Sequence, residues 1–188
     1  YSTPSENRRA RRFIESVLKN KKEINKRDRN GNTALMYAAK FFDTKIFNIL
    51  LANGADVNIK NYSNENVLIF LMKGWNWKGV KGVHVKEKIS PYDIDGIFGF
   101  VAWRNYFRIS EMLLKHKVNV NQMSNQKKSP LFIATEYGIY KMVKLLLKHN
   151  AVVDIKNSRG ETPLFHSVSK GYTKVSELLL KAKADPNI

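Results

Sequence analysis

The sequence contains two stretches that repeat each other with a spacing of 33 residues. Each stretch has a Ser/Thr-Pro-Leu-Phe motif, then a glycine, then an aliphatic run; these lie at 129–132, Gly138 and 142–147, and again at 162–165, Gly171 and 175–180. A period of this size is typical of solenoids, in which one unit cannot bury its own apolar face and neighbouring units stack to form the core. The period therefore predicts a stacked repeat array.

The residue types within each unit predict two helices joined by a short turn. Thr162 can cap a helix by accepting a hydrogen bond from a free backbone N–H, and Pro163 is tolerated at the first helical position, where that N–H is unpaired. Gly171 can end the helix with a positive φ. A second helix follows, because the spacing of the aliphatic residues at 175–180 places an apolar stripe on one side.

This pattern resembles the ankyrin repeat, whose signature is a glycine, Thr-Pro-Leu, an alanine, a glycine, a Leu-Leu run and Gly-Ala-Asp. About eight positions in each unit match, and the matches recur in register over most of the chain. The resemblance implies an all-α solenoid of stacked helix–turn–helix units with β-hairpin tips. It also implies that the chain binds another protein.

The register of the motifs predicts a single ankyrin-repeat domain over residues 1–188. Its units are a degenerate capping repeat at 1–27 and repeats at 28–60, 61–123, 124–156 and 157–188. In the last repeat, the stripe formed by Val175, Leu178 and Leu179 is expected to face inward. An array longer than the given sequence is the alternative.

The third repeat is 63 residues long, so it contains about 30 residues more than one period. The extra residues lie at about 75–104, between its two helices, because the register holds on both sides. An exposed loop is predicted from Trp75 to Ile89, then an extra helical segment that starts at Ser90 and runs through Trp103, then a separate second helix at 109–114. Trp75, Trp77 and Trp103 either pin the insertion to the array or serve as anchors for a partner.

Two residues depart from the pattern, and one asparagine position recurs in two repeats. Phe42 replaces the glycine between the two helices of its repeat, which predicts a less tight turn there. Lys127 replaces the glycine of a hairpin tip. Asn58 and Asn121 are predicted to hold the hairpin turns by hydrogen bonds to local backbone.

The formal net charge of +17 is the most unusual bulk property of the chain. Two explanations stay open: compositional drift, since lysine, asparagine and isoleucine are abundant together, and selection for an acidic partner. The chain has no cysteine, which excludes disulfides and thiolate zinc sites but is compatible with reducing and oxidising compartments. Localisation therefore stays unknown, either cytoplasmic, or secreted or periplasmic after loss of an N-terminal signal. No apolar run reaches the roughly 20 residues that span a bilayer.

No catalytic or metal-binding constellation is found in the sequence. His84, His116, His149 and His166 are scattered, and His116 and His149 recur one period apart, which indicates a repeat position. Serines lack a context that would activate a nucleophile. The chain is therefore predicted not to be an enzyme and to need no cofactor.

The leading hypothesis is a monomeric scaffold that binds a partner protein, which the charge suggests is acidic. By register with the family's variable positions, its concave face would be formed by the hairpin tips and the exposed sides of the first helices. The predicted contact residues are Arg29, Asn32, Lys40, Phe41, Tyr62, Lys73, Lys128, Glu136, Tyr137, Arg159, Glu161 and Lys170, together with Trp75, Trp77 and Trp103 of the inserted loop.

Two alternatives remain open. The chain could be a polyanion-binding module that contacts nucleic acid or an anionic membrane surface through the insertion lysines and the arginines at 8–12. It could also be a secreted microbial effector that acts on host proteins.

Overall fold

The structure is a computed structural model that describes residues 4–74 and 97–188. Within residues 4–6 and 97–103 it describes the helical backbone but not the side chains. The predicted loop from Trp75 to Ile89 and the predicted helix start at Ser90 lie outside the described residues.

The described residues form nine α-helices and one 3-10 turn. They are α1 (Pro4–Lys19), the turn Lys21–Glu23, α2 (Ala34–Lys40), α3 (Thr44–Ala52), α4 (Val67–Gly74), α5 (Ile97–Lys115), α6 (Pro130–Glu136), α7 (Tyr140–Lys148), α8 (Pro163–Ser169) and α9 (Thr173–Lys181). Helices α2/α3, α6/α7 and α8/α9 are the pairs that the repeat pattern predicts. This architecture confirms the predicted fold class.

The first of two compact units contains α1 to α4 and the part of α5 from residue 102 onward. Helix α2 is its centre, since it packs against α1, α3 and α4. Leu35 and Met36 of α2 are buried with Leu50 of α3 and Leu68 of α4. Neighbouring helices therefore share one core, and the first helices of successive repeats contact each other directly.

The second compact unit contains residues 119–188 and the start of α5. Helix α6 packs against α7 and α8, and α9 packs against α8 and α7. Phe132, Met142 and Leu146 are fully buried in this core. Within this unit, the first helices of the two repeats pack on each other, and so do the second helices.

Each repeat begins with a tight hairpin tip followed by a capped helix. The tips close through a backbone N–H···O bond of four-residue span, from Asp28 to Asn32 at 2.9 Å in one repeat and from Asn157 to Glu161 at 3.0 Å in another. One isolated bridge, between Arg27 and Thr33, is the only β-structure in the described residues. The hydroxyls of Thr33, Ser129 and Thr162 then accept bonds from the backbone N–H three residues later.

The structure corrects the prediction of two separate helical segments before and after residue 104. Helix α5 runs without a break from Ile97 to Lys115. The second helices of the other repeats correspond only to its residues 107–115, so residues 97–106 extend it at the N-terminal end. The reason lies in the sequence, because no glycine or proline stands between residues 100 and 115 to end a helix there.

The turn at Phe42 is as tight as the glycine turns, which corrects the prediction of a looser one. Phe42 has φ +54°, close to +66° at Gly138 and +70° at Gly171. Its N–H donates to Ala39 O at 3.0 Å, as the Gly138 N–H donates to the equivalent carbonyl at 2.9 Å. Left-handed backbone costs a residue with a side chain about 1–2 kcal/mol.

Two contacts from α5 hold Phe42 in this conformation. The side-chain amide of Asn105 donates to the Phe42 carbonyl at 3.3 Å. The Phe42 ring packs edge-on against the buried Tyr106 ring, with centroids 6.5 Å apart. Both partners belong to the N-terminal extension of α5, so the extension supports the strained turn. Lys127 likewise takes the place of a tip glycine with φ +52°.

The side chain of Asn121 links successive repeats, whereas the sequence predicted a purely local turn. Its amide oxygen accepts from Val152 N at 2.9 Å, and its amide nitrogen donates to Asn150 O at 3.4 Å. Asn58 similarly donates to Lys117 O at 3.4 Å. The local turn is bonded by Asn119, whose side chain accepts from Asn121 N at 3.0 Å. Asn at this position therefore stabilises the stacking of repeats.

The last repeat buries two of the three residues of its predicted stripe, leaves Leu178 only partly buried, and exposes other apolar side chains. Val175 and Leu179 are buried. Phe165, Val168 and Leu180 are 57%, 63% and 49% exposed, whereas Phe132, at the position of Phe165 in the preceding repeat, is fully buried.

Candidate interaction surface

A hydrogen-bond network fixes the hairpin tip of the second repeat to its first helix. Asp28 accepts the backbone N–H of Asn30 and of Asn32 on one carboxylate oxygen, both at 2.9 Å. Its other oxygen accepts the Tyr37 hydroxyl at 2.7 Å. The Asn32 amide donates to the same hydroxyl at 3.0 Å. The pKa of Tyr37 is raised to about 12, mainly because the side chain is partly buried and secondly because its hydroxyl is bonded to Asp28.

The network continues into the third repeat through Asn61. Its side-chain amide donates to Asn32 Oδ1 at 3.1 Å and to Glu65 Oε2 at 3.0 Å. The Lys73 ammonium donates to the other oxygen of Glu65, whose side chain is only 7% exposed. Two tips and the ends of two helices are therefore fixed relative to each other. Asn32 is buried and its amide is committed to this network, so its role is to support the surface.

An aromatic cleft of about 490 Å³ lies beside this network, between α1, the second tip, α2 and α4. Tyr37 is at its centre. The Tyr37 ring stacks on Phe41 with centroids 6.3 Å apart, and contacts Phe13 edge-on at 6.3 Å and Phe70 edge-on at 6.0 Å. All four rings are only partly buried. The cleft therefore presents an apolar wall to solvent.

Among the described residues, three cationic side chains and one carboxylate line the aromatic cleft. Arg9, Arg29 and Lys40 form no ion pair with any carboxylate among the described residues. The Lys40 ammonium lies 5.8 Å from the centre of the Phe70 ring, a cation–π contact. Asp28, the carboxylate, is held by the tip and Tyr37. The cleft therefore has an excess of positive charge.

Tyr62, another predicted contact residue, is the most exposed of the large hydrophobic residues that the structure describes in the first unit, at 67%. The Arg27 guanidinium lies 4.9 Å from the centre of its ring. Its backbone N–H donates to Asn30 O at 3.3 Å, so the second and third tips are in contact. A Cβ on Gly31, which has φ +77°, would lie 2.8 Å from that nitrogen. Glycine is therefore required for this close approach.

The second unit contains six of the predicted contact residues, and four of them form two ion pairs. Lys128 donates to both carboxylate oxygens of Glu136, at 2.8 and 2.7 Å. Arg159 pairs with Glu161 at 2.9 Å. The hydrogen bond from Asn157, and then Arg159, lower the pKa of Glu161. Of the other predicted contact residues in this unit, Lys170 is exposed and Tyr137 is partly buried. Burial raises the pKa of Tyr137, and the nearby negative charge of Glu136 raises it further.

The structure thus brings Arg29, Lys40 and Phe41 together in the aromatic cleft, supported by Asn32. Trp75 and Trp77 lie outside the described residues, and the side chain of Trp103 is also outside them. Sequence reasoning missed Phe13, Tyr37, Phe70 and Arg9 as members of the surface. A signal existed for two of these, because Tyr37 and Phe70 occupy the same repeat position one period apart.

Across the part of the chain that the structure describes, no group of three or more acidic, histidine or cysteine side chains is placed to hold a metal ion. Among the same residues, no helix combines the length and apolarity that a membrane crossing requires.

Helix pairs that stack in register, each led by a tight tip and a Ser or Thr cap, define a helical repeat protein. Residues 98–188 match the family model described as ankyrin repeats (3 copies), and residues 30–62 match the model described as ankyrin repeat. The chain belongs to the ankyrin-repeat family. Ankyrin repeats are generally protein–protein interaction modules.

Two curated proteins are similar to part of this chain. The human transient receptor potential cation channel subfamily A member 1 is 30% identical over 124 residues, which are 62% of this chain and 11% of that protein. Putative ankyrin repeat protein FPV244 of fowlpox virus (strain NVSL) is 31% identical over 126 residues, which are 66% of this chain and 18% of that protein. The chain therefore spans less than a fifth of the length of either relative.

Proposed function

We propose that the chain binds an acidic segment of a partner protein on the tip face, defined as the hairpin tips and the exposed sides of the first helices in each repeat. The supporting observation is that Arg29 and Lys40 have no carboxylate partner among the described residues and lie beside the half-buried Phe41. Aromatic and arginine side chains dominate the energetics of many protein interfaces. Nearby unpaired cations favour a partner of opposite charge and speed its association.

The internal bonds of the tips favour a preformed surface. Asp28, Asn32 and Tyr37 hold the second tip, and Asn61 joins it to the third. A rigid surface loses little conformational entropy on binding, so more of the contact energy appears as affinity.

The test is to replace Phe41 and Tyr137 by alanine, singly and together. Partner proteins are captured from the native source and identified by mass spectrometry, and their affinity for each purified variant is then measured. The double variant is expected to bind at least about tenfold more weakly, with a Tm within a few degrees of the parent chain.

Ile49→Ala and Val152→Ala are the matched controls, since both residues are about half exposed apolar side chains away from the tip face, at 47% and 49%. These controls are expected to bind like the parent. A double variant that captures the same partners with unchanged affinity would rule out the tip face.

A second candidate function is polyanion binding, which the arginines of α1 favour. Arg8, Arg9, Arg11 and Arg12 are all exposed and form no ion pair within the described residues. Phosphate contacts would make binding to nucleic acid fall linearly in a plot of log affinity against log salt. Absence of binding to single-stranded and double-stranded nucleic acid at about 150 mM salt would eliminate this function.

A further inference from the structure

We propose that the aromatic cleft receives one aromatic or large aliphatic side chain of an acidic peptide segment, whose flanking carboxylates are bound by Arg9, Arg29 and Lys40. This inference rests on the proposed function, because it specifies what part of the partner enters the tip face. It assigns the specificity of binding to the first unit alone.

The size and walls of the cleft suit a large apolar side chain together with part of the peptide that carries it. Ligand pockets in proteins are commonly 300–1,000 Å³ in volume, and the cleft measures about 490 Å³. Phe13, Tyr37, Phe41 and Phe70 surround it and leave part of each ring open to solvent. An entering aromatic side chain can therefore bury a large area and contact ring faces and edges on several sides.

The charges at the cleft favour carboxylates next to the anchor. Arg9 comes from α1, Arg29 from the tip and Lys40 from the end of α2, so the cations approach the cleft from three elements. Asp28, the one carboxylate among the cleft residues that the structure describes, already accepts three hydrogen bonds. Acidic residues before and after the anchor would each meet a cation that has no carboxylate partner in the described residues.

The backbone of the tip argues against a phosphate ligand. Phosphate sites in proteins usually use free backbone N–H groups at loops or helix N-termini. Here the N–H groups of Asn30 and Asn32 donate to Asp28 Oδ1, and that of Gly31 donates to Asp28 O, each at 2.9 Å. These three N–H groups are therefore not available to an anion, which favours the dispersed carboxylates of a peptide over a phosphate group.

The cleft is also fixed in shape by its own bonds. The Tyr37 hydroxyl donates to Asp28 and accepts from Asn32, so the side chain cannot swing out of the cleft without breaking both bonds. Ala10 of α1 is buried below the cleft rim and fixes α1 against it. A peptide therefore meets a preorganised site.

The experiment selects phage-displayed random peptides of about 12 residues, long enough to cross the cleft, on the full 188-residue chain. Selected peptides are expected to share one large apolar residue flanked by at least two Asp or Glu. A synthetic peptide of the enriched sequence then serves as the probe for affinity measurements by fluorescence anisotropy.

The decisive variant is Arg9→Glu with Arg29→Glu, compared with Lys141→Glu with Lys144→Glu on the exposed side of α7. Both pairs change the net charge by the same amount and replace exposed residues. The cleft variant is expected to weaken peptide binding at least about tenfold, and the control less than about twofold. Phe13→Ala is expected to weaken it similarly, whereas Phe165→Ala in the last repeat is expected to have no effect.

Enriched peptides without acidic residues, or equal losses in the two charge variants, would overturn the inference. Displacement of the peptide by single-stranded DNA of matched length at about 150 mM salt would overturn it in favour of nucleic acid. Partner capture that depends on Tyr137 but not on Arg9 and Arg29 would also overturn it, and would leave the proposed function intact. Partner capture that is unchanged when Phe41 and Tyr137 are both replaced by alanine would instead overturn the proposed function.

Discussion

The Lys73 ammonium donates to the carboxylate of Glu65, eight residues earlier, and so ties the end of α4 to the tip of its own repeat. In the repeat at 124–156 the same two positions hold Lys128 and Glu136, which pair with the opposite polarity. We therefore expect these two repeats, though not every repeat of the fold, to require complementary charges at these positions, in either order.

Exchange of the charges of Glu65 and Lys73 tests this requirement. Lys73→Glu alone is expected to cost about 1–2 kcal/mol of unfolding free energy, because it leaves the buried Glu65 beside a second negative charge, while the exposure of position 73 screens part of the repulsion. The double exchange Glu65→Lys with Lys73→Glu is expected to recover at least about 1 kcal/mol relative to the sum of the single changes. Urea unfolding of all four proteins measures this coupling.

The exposed pair of Glu23 and Lys26 provides the matched control, with side chains 43% and 52% exposed. Its coupling is expected to stay below about 0.5 kcal/mol. Additive effects at positions 65 and 73 would contradict the requirement.

Replacement of Phe42 separates the cost of its backbone from the value of its ring. Glycine and alanine both remove the contact with Tyr106, but only glycine relieves the strain at φ +54°. Phe42→Gly is therefore expected to be more stable than Phe42→Ala by about 1 kcal/mol, measured by urea unfolding.

At the neighbouring Phe41, with φ −86°, the order is expected to reverse, and alanine should exceed glycine by about 0.5–1 kcal/mol. Alanine more stable than glycine at both positions would show that the backbone at Phe42 is unstrained.

His166 is expected to make the second unit less stable in mild acid. Its ring is buried against Phe132, with centroids 5.3 Å apart, and its Nε2 has no hydrogen-bond partner in the described residues. Burial lowers the pKa of His166, opposed by Glu136 and Glu161 and assisted by Lys170 and Arg159. The unfolded chain then binds the proton more readily than the folded chain, so stability falls as pH drops below about 6.5.

Phe70 occupies the equivalent position in the third repeat, so His166→Phe is the matched variant. It is expected to reduce the acid-side slope by up to about 1.4 kcal/mol per pH unit, measured by urea unfolding between about pH 7.5 and 5.5. A parent slope that His166→Phe leaves intact would contradict the assignment.

The sequence was sufficient for the helix pairs because their signals are local. Thr162, Pro163 and Gly171 fix a cap, a first turn and a stop without help from distant residues. The continuity of α5 could also be predicted from the sequence, since no glycine or proline lies between residues 100 and 115 to end a helix. The repeat pattern instead predicted a separate second helix at 109–114, because the pattern assumes a second helix of ordinary length and this repeat contains an insertion.

Other features depended on contacts that no local rule contains. The left-handed Phe42 is held by Asn105 and Tyr106, 63 and 64 residues further along the chain. The aromatic cleft joins Phe13 of the degenerate first repeat to Tyr37 and Phe70. Phe13 has no marked repeat motif around it, so only the packing of α1 on α2 brings it to the cleft.

The mutual dependence of Phe42 and the N-terminal extension of α5 has an evolutionary consequence. Loss of the extension would leave a bulky residue in strained backbone with no support, and a change to glycine would leave the extension without the ring it packs against. Neither change is neutral alone, so the two traits should be inherited together. Homologues with a third repeat of ordinary length are expected to carry glycine where this chain has Phe42.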